Sequence, residues 1–266
     1  MNDTQSPSSS SPQFLACEDG ESIAYHVLPG RTPGVVFFGG FLSDMTGTKA
    51  MSLETLCRQT GQAFVRFDYF GHGASSGTFT EGTISRWKAD AVRILDEVTE
   101  GPQILIGSSL GAWIMILAAL ERSERVAGMV GIAAAPDFTE DLIWGTLSEE
   151  DRNNLQETGI IGIPNPHGNE PTPVSRALIE DGRGNLVLRG TIPLTCPVRL
   201  LHGLLDREVP SETSLKLATS LESDNVTVTF IKNGDHRLSN LESLSCIFLT
   251  VAELLSPPPR EIAAND

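Results

Sequence analysis

Residues 103–122 of this chain, QILIGSSLGAWIMILAALER, carry the clearest indication of its fold. A short apolar run comes first, a long and almost wholly apolar run follows, and Gly-Ser-Ser-Leu-Gly joins the two. This order predicts a buried β-strand that leads through a sharp turn into a buried helix. Residues 101–120 carry no charge, but the glycine- and serine-containing turn in their middle argues against a membrane span.

Residues 107–111 fit the pattern G-x-S-x-G, in which a strand-to-helix turn exposes the central serine. Such a turn aims the next backbone N–H and the helix N-terminus at a developing oxyanion. Ser109 is therefore the predicted nucleophile. A second match, residues 73–77 around Ser75, lies in a glycine-rich loop with no helix directly after it, so it predicts an ordinary turn.

Outward from this stretch, short apolar runs alternate with helical patterns. The runs predict strands at 14–17, 22–28, 35–38, 64–67, 103–106, 129–133, 198–202 and 226–231. Apolar spacing of three and four predicts a helix at 84–98. Further helical patterns lie at 52–60, which ends at Gly61, at 110–122, which is apolar nearly all round, and at 211–221. A hairpin followed by alternating strands and helices predicts an α/β fold, with a mostly parallel sheet of eight strands and helices on both faces.

The alternation stops between the sixth and seventh predicted strands. Residues 137–191 are rich in proline and glycine and too long for a plain connection, so they predict a cap or lid insertion at the carboxyl edge of the sheet, with short helices. The core is then 14–136 with 192–257. A polar Ser/Pro-rich leader, 1–13, is predicted to be disordered, and 258–266 to be a flexible tail.

Charge and cysteine usage exclude several function classes. The formal net charge is −15, and the basic residues are scattered singly, which disfavours binding to nucleic acid or anionic membranes. The four cysteines form no C-x-x-C pattern, and they are predicted to be reduced, buried thiols. The leader has neither a secretory signal pattern nor the arginines of a mitochondrial transit peptide, which favours a cytoplasmic location.

A serine nucleophile at neutral pH needs a base, and His236 is the predicted one because it directly follows the last predicted strand. The other four histidines have structural interpretations: His26 lies in the first hairpin, His72 in a turn, His167 in the insertion, and His202 at a strand end, where it packs or bonds to backbone.

The orienting acid is predicted to be Asp206, in the loop after the penultimate strand, since a carboxylate there reaches the imidazole of His236. Glu208 is the nearest competing acid, but its ordinary interpretation is a solvated or helix-start charge. Asp137 follows the preceding strand and is an alternative acid position. Asp235 neighbours His236 in sequence, which sends the two side chains apart.

The second oxyanion donor is expected after the third strand, where Gly39-Gly40 lets the backbone approach a ligand. The backbone N–H groups of Phe41 and Leu110 are therefore the predicted oxyanion hole. Together with Ser109, Asp206 and His236 they provide every part that hydrolysis through an acyl-enzyme needs, and no metal or cofactor is required.

The order of these motifs resembles the α/β-hydrolase superfamily over about residues 14–255. It comprises Gly39-Gly40, DYFGHG at 68–73, GSSLG at 107–111, Asp206 and His236. More narrowly, GFLSDMTGTKA (40–50), VRFDY (65–69), GPQILIGSSLG (101–111) and CPVRLLHG (196–203) resemble a mitochondrial subgroup of palmitoyl-protein thioesterases, also described as mycophenolic acid acyl-glucuronide esterases. The resemblance implies an α/β-hydrolase fold, with Ser109, Asp206 and His236 at the catalytic positions.

The predicted function is a serine hydrolase that cleaves a carboxylic ester or acyl thioester, the substrate being a small molecule or an acylated protein. A C–C bond hydrolase or a perhydrolase using the same three residues remains open, as does a non-catalytic small-ligand binder that keeps the fold. An aspartate nucleophile, as in dehalogenases and epoxide hydrolases, is disfavoured because the turn holds Ser109. Neither the oligomeric state nor the preferred acyl chain follows from the sequence.

Overall fold

The computed structural model describes residues 11–165, 168 and 170–256. Apart from its last three residues, the predicted leader lies outside this part of the chain, and the predicted tail lies wholly outside it. His167 lies outside it too.

An eight-stranded sheet runs through the centre of the fold. The strands of the described chain are β1 (Gln13–Ala16), β2 (Ser22–Leu28), β3 (Arg31–Phe38), β4 (Gln62–Phe67), β5 (Gln103–Ser108), β6 (Val126–Ile132), β7 (Ile160–Ile163), β8 (Thr172–Ser175), β9 (Val198–Gly203) and β10 (Val226–Ile231). The order across the sheet is β1-β2-β4-β3-β5-β6-β9-β10. The pairs β1–β2 and β2–β4 are antiparallel, whereas all pairs from β4 to β10 are parallel.

Helices cover both faces of this sheet. They are α1 (Thr48–Thr60), α2 (Ile84–Glu97), α3 (Leu110–Glu121), α4 (Glu149–Thr158), α5 (Arg176–Arg183), α6 (Glu212–Ser220) and α7 (Leu241–Leu255). The central strands alternate their side chains between two buried layers, because successive residues of a strand point to opposite faces. One layer packs under α1 and α7, and the other packs under α2, α3 and α6.

The predicted α/β class, with a mostly parallel eight-stranded sheet and an insertion after its sixth strand, is confirmed. Two elements were not predicted: helix α7, and the antiparallel hairpin of β7 and β8 inside the insertion. Helix α1 begins at Thr48 rather than at residue 52, and it buries Ala50, Leu53 and Cys57.

The cysteine prediction needs a correction, because only Cys57 is buried, whereas Cys17, Cys196 and Cys246 are half-buried. All four thiols are free.

Among the described helices, none combines the length and the apolar character that crossing a membrane requires.

The fold gathers the ends of the parallel strands at one edge. Because β3, β5, β6, β9 and β10 run in the same direction, the loops after them meet at their carboxyl ends. The insertion leaves the sheet after β6 and returns at β9, which is the neighbouring strand. Ligands of open α/β sheets bind at this edge.

Candidate active site

Ser109 occupies a strained turn between β5 and α3. Its backbone has φ 54° and ψ −119°, in the positive-φ region that residues with a Cβ rarely adopt. The turn is held by its own main chain: the amide of Ser109 donates to the Ile132 carbonyl at 2.9 Å, and its carbonyl accepts from the Ala135 amide at 3.2 Å. The serine is thereby fixed to the end of β6.

The two glycines of the motif are required because neither position has room for a side chain. A Cβ on Gly107 would lie 2.5 Å from the Cα of Ala112, and one on Gly111 would lie 2.2 Å from the carbonyl oxygen of Phe38. Both contacts are with backbone, which has little freedom to move. The sequence pattern around Ser109 therefore reflects the close approach of α3 to β3 and of β5 to the start of α3.

His236 lies in the loop after β10 and bridges Ser109 and Asp206. Its Nε2 is 3.0 Å from Ser109 Oγ, and its Nδ1 is 2.8 Å from Asp206 Oδ2. An ionised carboxylate only accepts hydrogen bonds, so Nδ1 carries a proton and donates it to Asp206. In the neutral ring, Nε2 is then left to accept the hydroxyl proton of Ser109.

Asp206 lies in the loop after β9, and its carboxylate is fully buried. Oδ1 accepts the amides of Glu208 and Val209 at 2.8 and 2.9 Å. Burial alone would favour the neutral acid, but the contacts from His202 and His236 outweigh it and hold the pKa of Asp206 well below its usual range. Asp206 is therefore charged throughout the neutral pH range.

His202 makes a further contact with Asp206, which the sequence did not indicate. Its Nε2 lies 3.0 Å from the carbonyl oxygen of Val209 and 3.2 Å from Asp206 Oδ2. Since both neighbours are acceptors, Nε2 carries a proton, and the hydroxyl of Ser214 then donates to Nδ1 at 2.7 Å. The side chain of His202 is wholly buried. The prediction of a packed residue bonded to backbone is therefore correct, but it did not include the contact with Asp206.

The competing acids do not take the position of Asp206. Glu208 Oε2 is 4.0 Å from His236 Nε2, on the serine side of the ring. Asp235 turns back to its own loop, where Oδ1 accepts the amide of Leu238 at 2.9 Å. Asp137 is bound within the insertion instead.

The other two histidines of the described residues, His26 and His72, lie away from this arrangement. His26 is in β2, paired with Arg66 of β4. His72 is buried in a turn among aromatic rings, with the ring centroids of Phe79 and Trp87 at 5.1 and 5.2 Å.

Ser75, at the second G-x-S-x-G match, has a structural role. Its Oγ donates to the carbonyl of Asp68 at 2.6 Å and accepts the amide of Ala24 at 2.8 Å. Asp68 itself joins two loops, since Oδ1 accepts the amide of Met45 and Oδ2 that of Ala74. The prediction of an ordinary turn at Ser75 is confirmed.

The two predicted oxyanion amides flank Ser109. Leu110 is the first residue of α3, where a helical N–H has no partner within the helix. Phe41 follows Gly40, and a Cβ on Gly40 would lie 3.6 Å from the Cβ of Ser109. The Gly39-Gly40 turn thus runs beside the serine.

Ser109 and His236 open into a cavity of about 1210 Å³. Part of its wall is apolar and comes from Phe41 and from the insertion, including Phe138, Leu142, Ile143 and Ile163. Phe41 is held by Phe79 and Phe138, whose ring centroids lie 5.0 and 5.5 Å away. Another part of the wall is basic.

This basic wall consists of Lys49, Arg207 and Arg237, none of which was predicted from the sequence. The two arginines directly follow Asp206 and His236 in sequence, so they could have been found by their adjacency to these predicted residues. Lys49 gave no such signal, because it contacts the carbonyl of Arg237 from 188 positions away in sequence.

Asp137 anchors the insertion. It has φ 59°, and its fully buried carboxylate accepts the amides of Val187 and Leu188 at 2.8 and 2.9 Å. Arg189 lies 3.4 Å away. Burial raises the pKa of Asp137 against the opposing effect of these amides. Asp137 therefore closes the insertion, fixing its last residues to its first.

Replacing Asp137 with alanine is expected to lower the free energy of unfolding by about 2 kcal/mol, because two amides lose their acceptor. For a chain of this size the Tm falls by about 4–8 °C. Thermal unfolding measures the effect, with the exposed Glu150→Gln as the control within the insertion. A Tm equal to that of the wild type would contradict the anchoring role.

Comparisons with known proteins give one family model, described as serine aminopeptidase, S33, which matches residues 34–150. A mouse protein named palmitoyl-protein thioesterase ABHD10, mitochondrial, is 39% identical over 243 residues, which is 91% of this chain and 82% of the mouse protein. The human protein of that name is 37% identical over the same length, 79% of its own.

Two solved structures are similar over nearly their whole length. The mouse alpha/beta hydrolase domain-containing protein 10 has a TM-score of 0.86 at 39% identity, covering 92% of this chain and 98% of the mouse chain. A hydrolase from Agrobacterium vitis S4, described as putative, has a TM-score of 0.88 at 39% identity, covering 93% and 100%.

The predicted cytoplasmic location is wrong by these comparisons, because the mouse and human relatives are named mitochondrial. That prediction relied on the polar leader, most of which lies outside the described residues, whereas the similarity extends over the folded core.

Proposed function

The chain belongs to the α/β-hydrolase superfamily, in the family of the ABHD10 proteins, and is a hydrolase; from this premise we propose that it cleaves carboxylic esters or acyl thioesters through Ser109, His236 and Asp206. The observation that carries the proposal is the unbroken line of contacts from Ser109 Oγ through His236 to Asp206. Each distance is within hydrogen-bonding range, and each group has the role that this chemistry needs.

In the acylation step His236 Nε2 takes the proton of Ser109 while Oγ attacks the acyl carbon. The oxygen of the tetrahedral intermediate becomes negative and accepts hydrogen bonds from the amides of Phe41 and Leu110. The imidazolium is stabilised by the charged Asp206. It then protonates the leaving alkoxide or thiolate as the bond to the acyl carbon breaks, which leaves the acyl group on Ser109.

Deacylation repeats these steps with water as the nucleophile. His236 removes a proton from the water, the resulting tetrahedral intermediate is held by the same two amides, and the proton returns to Ser109 Oγ as the free acid forms. Every proton transfer passes through a single ring nitrogen, so the chain's own residues suffice and no cofactor is required.

The cavity supports an apolar acyl group. Aromatic and aliphatic side chains of the insertion line one wall beside Ser109, and the cavity volume exceeds the range of about 300–1,000 Å³ that is usual for small-molecule sites. The mouse and human relatives are named palmitoyl-protein thioesterases, which favours long acyl thioesters over short esters. We place the acyl chain against the wall formed by Phe138, Leu142 and Ile143.

Labelling with a fluorophosphonate tests the nucleophile. The wild-type chain is expected to gain one covalent adduct, located on the peptide that contains Ser109, and Ser109→Ala is expected to gain none. Ser75→Ala is the matched control, because Ser75 stands at the centre of the same five-residue pattern. A folded Ser109→Ala variant that still labels at the wild-type rate would refute the assignment.

Hydrolysis of p-nitrophenyl esters from acetyl to palmitoyl, beside the matched acyl thioesters, tests the substrate class. We expect Ser109-dependent turnover that rises with chain length and is greatest for long thioesters. An optimum at short esters would leave a general carboxylesterase. A folded, fluorophosphonate-reactive protein with no turnover of any of them would contradict ester hydrolysis.

A further inference from the structure

The two arginines at the cavity mouth differ from the other arginines of the described chain. Every other described arginine donates a hydrogen bond from its guanidinium group to a carboxylate or a carbonyl. Arg207 and Arg237 are exposed and, among the described residues, make no such bond. Two cations without a partner in the described part of a chain whose net charge is −15 therefore lie at one place.

Their position is next to the proposed chemistry. Arg207 follows Asp206 and Arg237 follows His236, so their Cα atoms lie about 3.8 Å from those of the proposed catalytic residues. Both side chains line the cavity that contains Ser109.

Lys49 adds a third cation to the same wall. It is half-buried at the start of α1 and donates to the carbonyl oxygen of Arg237, which leaves further donors of its ammonium group for a ligand. Burial, helped by the charge of Arg237 and opposed by Asp235 and Glu208, lowers the pKa of Lys49 to about 8. A bound anion would offset this cost and favour the charged form.

Of the acids that line the cavity, Asp44 and Asp235 accept backbone amides of their own loops. Asp44 Oδ1 accepts the amide of Thr46 at 2.7 Å, and Asp235 Oδ1 accepts that of Leu238 at 2.9 Å. Glu208 is half-buried and lies beside His236 Nε2. Among the described residues, none of these carboxylates pairs with the guanidinium group of Arg207 or Arg237, so both arginines remain available to a ligand.

We propose that Lys49, Arg207 and Arg237 bind a phosphate group carried by the leaving group of the substrate, within a few bonds of the ester or thioester. The leaving atom must lie within hydrogen-bonding reach of His236, since His236 protonates it. The leaving group consequently lies beside the loop that carries Arg237, while the acyl chain lies along the apolar wall. Guanidinium and ammonium groups together match a phosphate dianion. This inference rests on the proposed function.

Three octanoyl thioesters test the proposal, with 2-mercaptoethyl phosphate, 3-mercaptopropionate or 2-mercaptoethanol as the leaving thiol. For the wild type we expect kcat/KM to be about tenfold or more higher for the phosphate than for the neutral thiol, with the carboxylate between them. The Arg207→Gln/Arg237→Gln double variant should reduce that ratio to near one. Lys49→Gln should reduce it in part, and Arg199→Gln, whose side chain pairs with Glu253, should retain it.

Salt and pH give independent readouts of the same ratio. It should fall as ionic strength rises from about 0.05 to 0.5 M, because exposed charges are screened. It should also fall between pH 7 and 9 as Lys49, which faces Arg237, Asp235 and Glu208, loses its proton.

Binding separates the failure of this inference from that of the proposed function. Calorimetry on Ser109→Ala should give a Kd for the phosphate thioester about tenfold below that for the neutral one. Equal Kd values would overturn the phosphate site whether or not the wild type turns over. A carboxylate bound as tightly as the phosphate would overturn the choice of phosphate. If the Kd values differ but the wild type hydrolyses neither thioesters nor p-nitrophenyl esters, the proposed function fails and the anion site stands.

Discussion

Asp206→Asn is expected to lower kcat by about 10⁴-fold with little change in KM, the loss associated with an asparagine at this position of a serine triad. An amide side chain would donate to His236 Nδ1, which would leave the proton on Nε2, facing Ser109, where it blocks general-base action. It would also remove the charge that stabilises the imidazolium. Steady-state kinetics on a p-nitrophenyl ester, together with a circular dichroism check of the fold, measures the effect.

Two neighbouring acids are the controls for Asp206. Asp235→Asn should retain activity within about tenfold, because its carboxylate is bound to the amide of Leu238. Glu208→Gln should do the same, since Glu208 lies on the serine side of His236. If Asp206→Asn kept a tenth of the wild-type activity while Glu208→Gln lost its activity, the proposal of Asp206 as the orienting acid would fail.

The same substitution affects stability as a function of pH. The pKa of Asp206 is lower in the folded chain than its unfolded value of about 3.9. Its charge therefore stabilises the fold fully above that value, and the stabilisation is lost as the pH falls from there toward the folded pKa. Denaturant titrations at pH 7, 4 and 3 should show a smaller loss of stability on acidification in Asp206→Asn than in the wild type.

Gly111→Ala is expected to have the largest effect on the fold around the site. Alanine normally stabilises a helix by about 1 kcal/mol relative to glycine, so any loss reports the clash alone. The new Cβ would lie 2.2 Å from the carbonyl oxygen of Phe38 and 2.4 Å from that of Gly39. To relieve these contacts, α3 must move away from β3. We expect this to lower the free energy of unfolding by about 3 kcal/mol and the Tm by about 6–12 °C.

The movement should also reduce catalysis, because the Leu110 amide begins the same helix. If the Leu110 amide is the proposed oxyanion donor, its displacement lowers kcat by about 10²-fold. Gly190→Ala is the control, since a Cβ there meets nothing within 4 Å. An unchanged Tm with unchanged kcat would show that α3 and β3 do not pack as closely as the structure has them.

Much of the sheet could be predicted from sequence, because buried parallel strands are continuous apolar runs and every predicted run is a strand. Helix α7 could not be predicted so readily. Leu244, Ile247 and Val251 face the core, but Leu241 and Leu249 are exposed, and these additional leucines obscure the amphipathic stripe. The hairpin of β7 and β8 could not be predicted for another reason: Pro173 lies inside β8, and a proline normally argues against a strand.

The candidate site divides in the same way. Ser109, Asp206 and His236 could be predicted because each follows a strand, and strand ends converge at one edge of a parallel sheet. The contact of His202 with Asp206 depends on how the loop after β9 folds back, and the contact of Lys49 with the Arg237 carbonyl joins distant parts of the chain. Neither leaves a local pattern. Asp137 was predicted only as an alternative acid, since its two bonds lie 50 and 51 positions away.

The insertion is one continuous segment between β6 and β9 whose two ends meet, and this makes it an exchangeable cassette. Asp137 at its start accepts the amides of Val187 and Leu188 near its end, so the segment closes on itself whatever lies between them. Asp137 and the amides it binds fasten the cassette at its base. The proposed nucleophile, base and acid all lie outside it. Chain-length preference could therefore be transplanted between relatives by exchanging this one segment, while the machinery that breaks the bond is inherited unchanged.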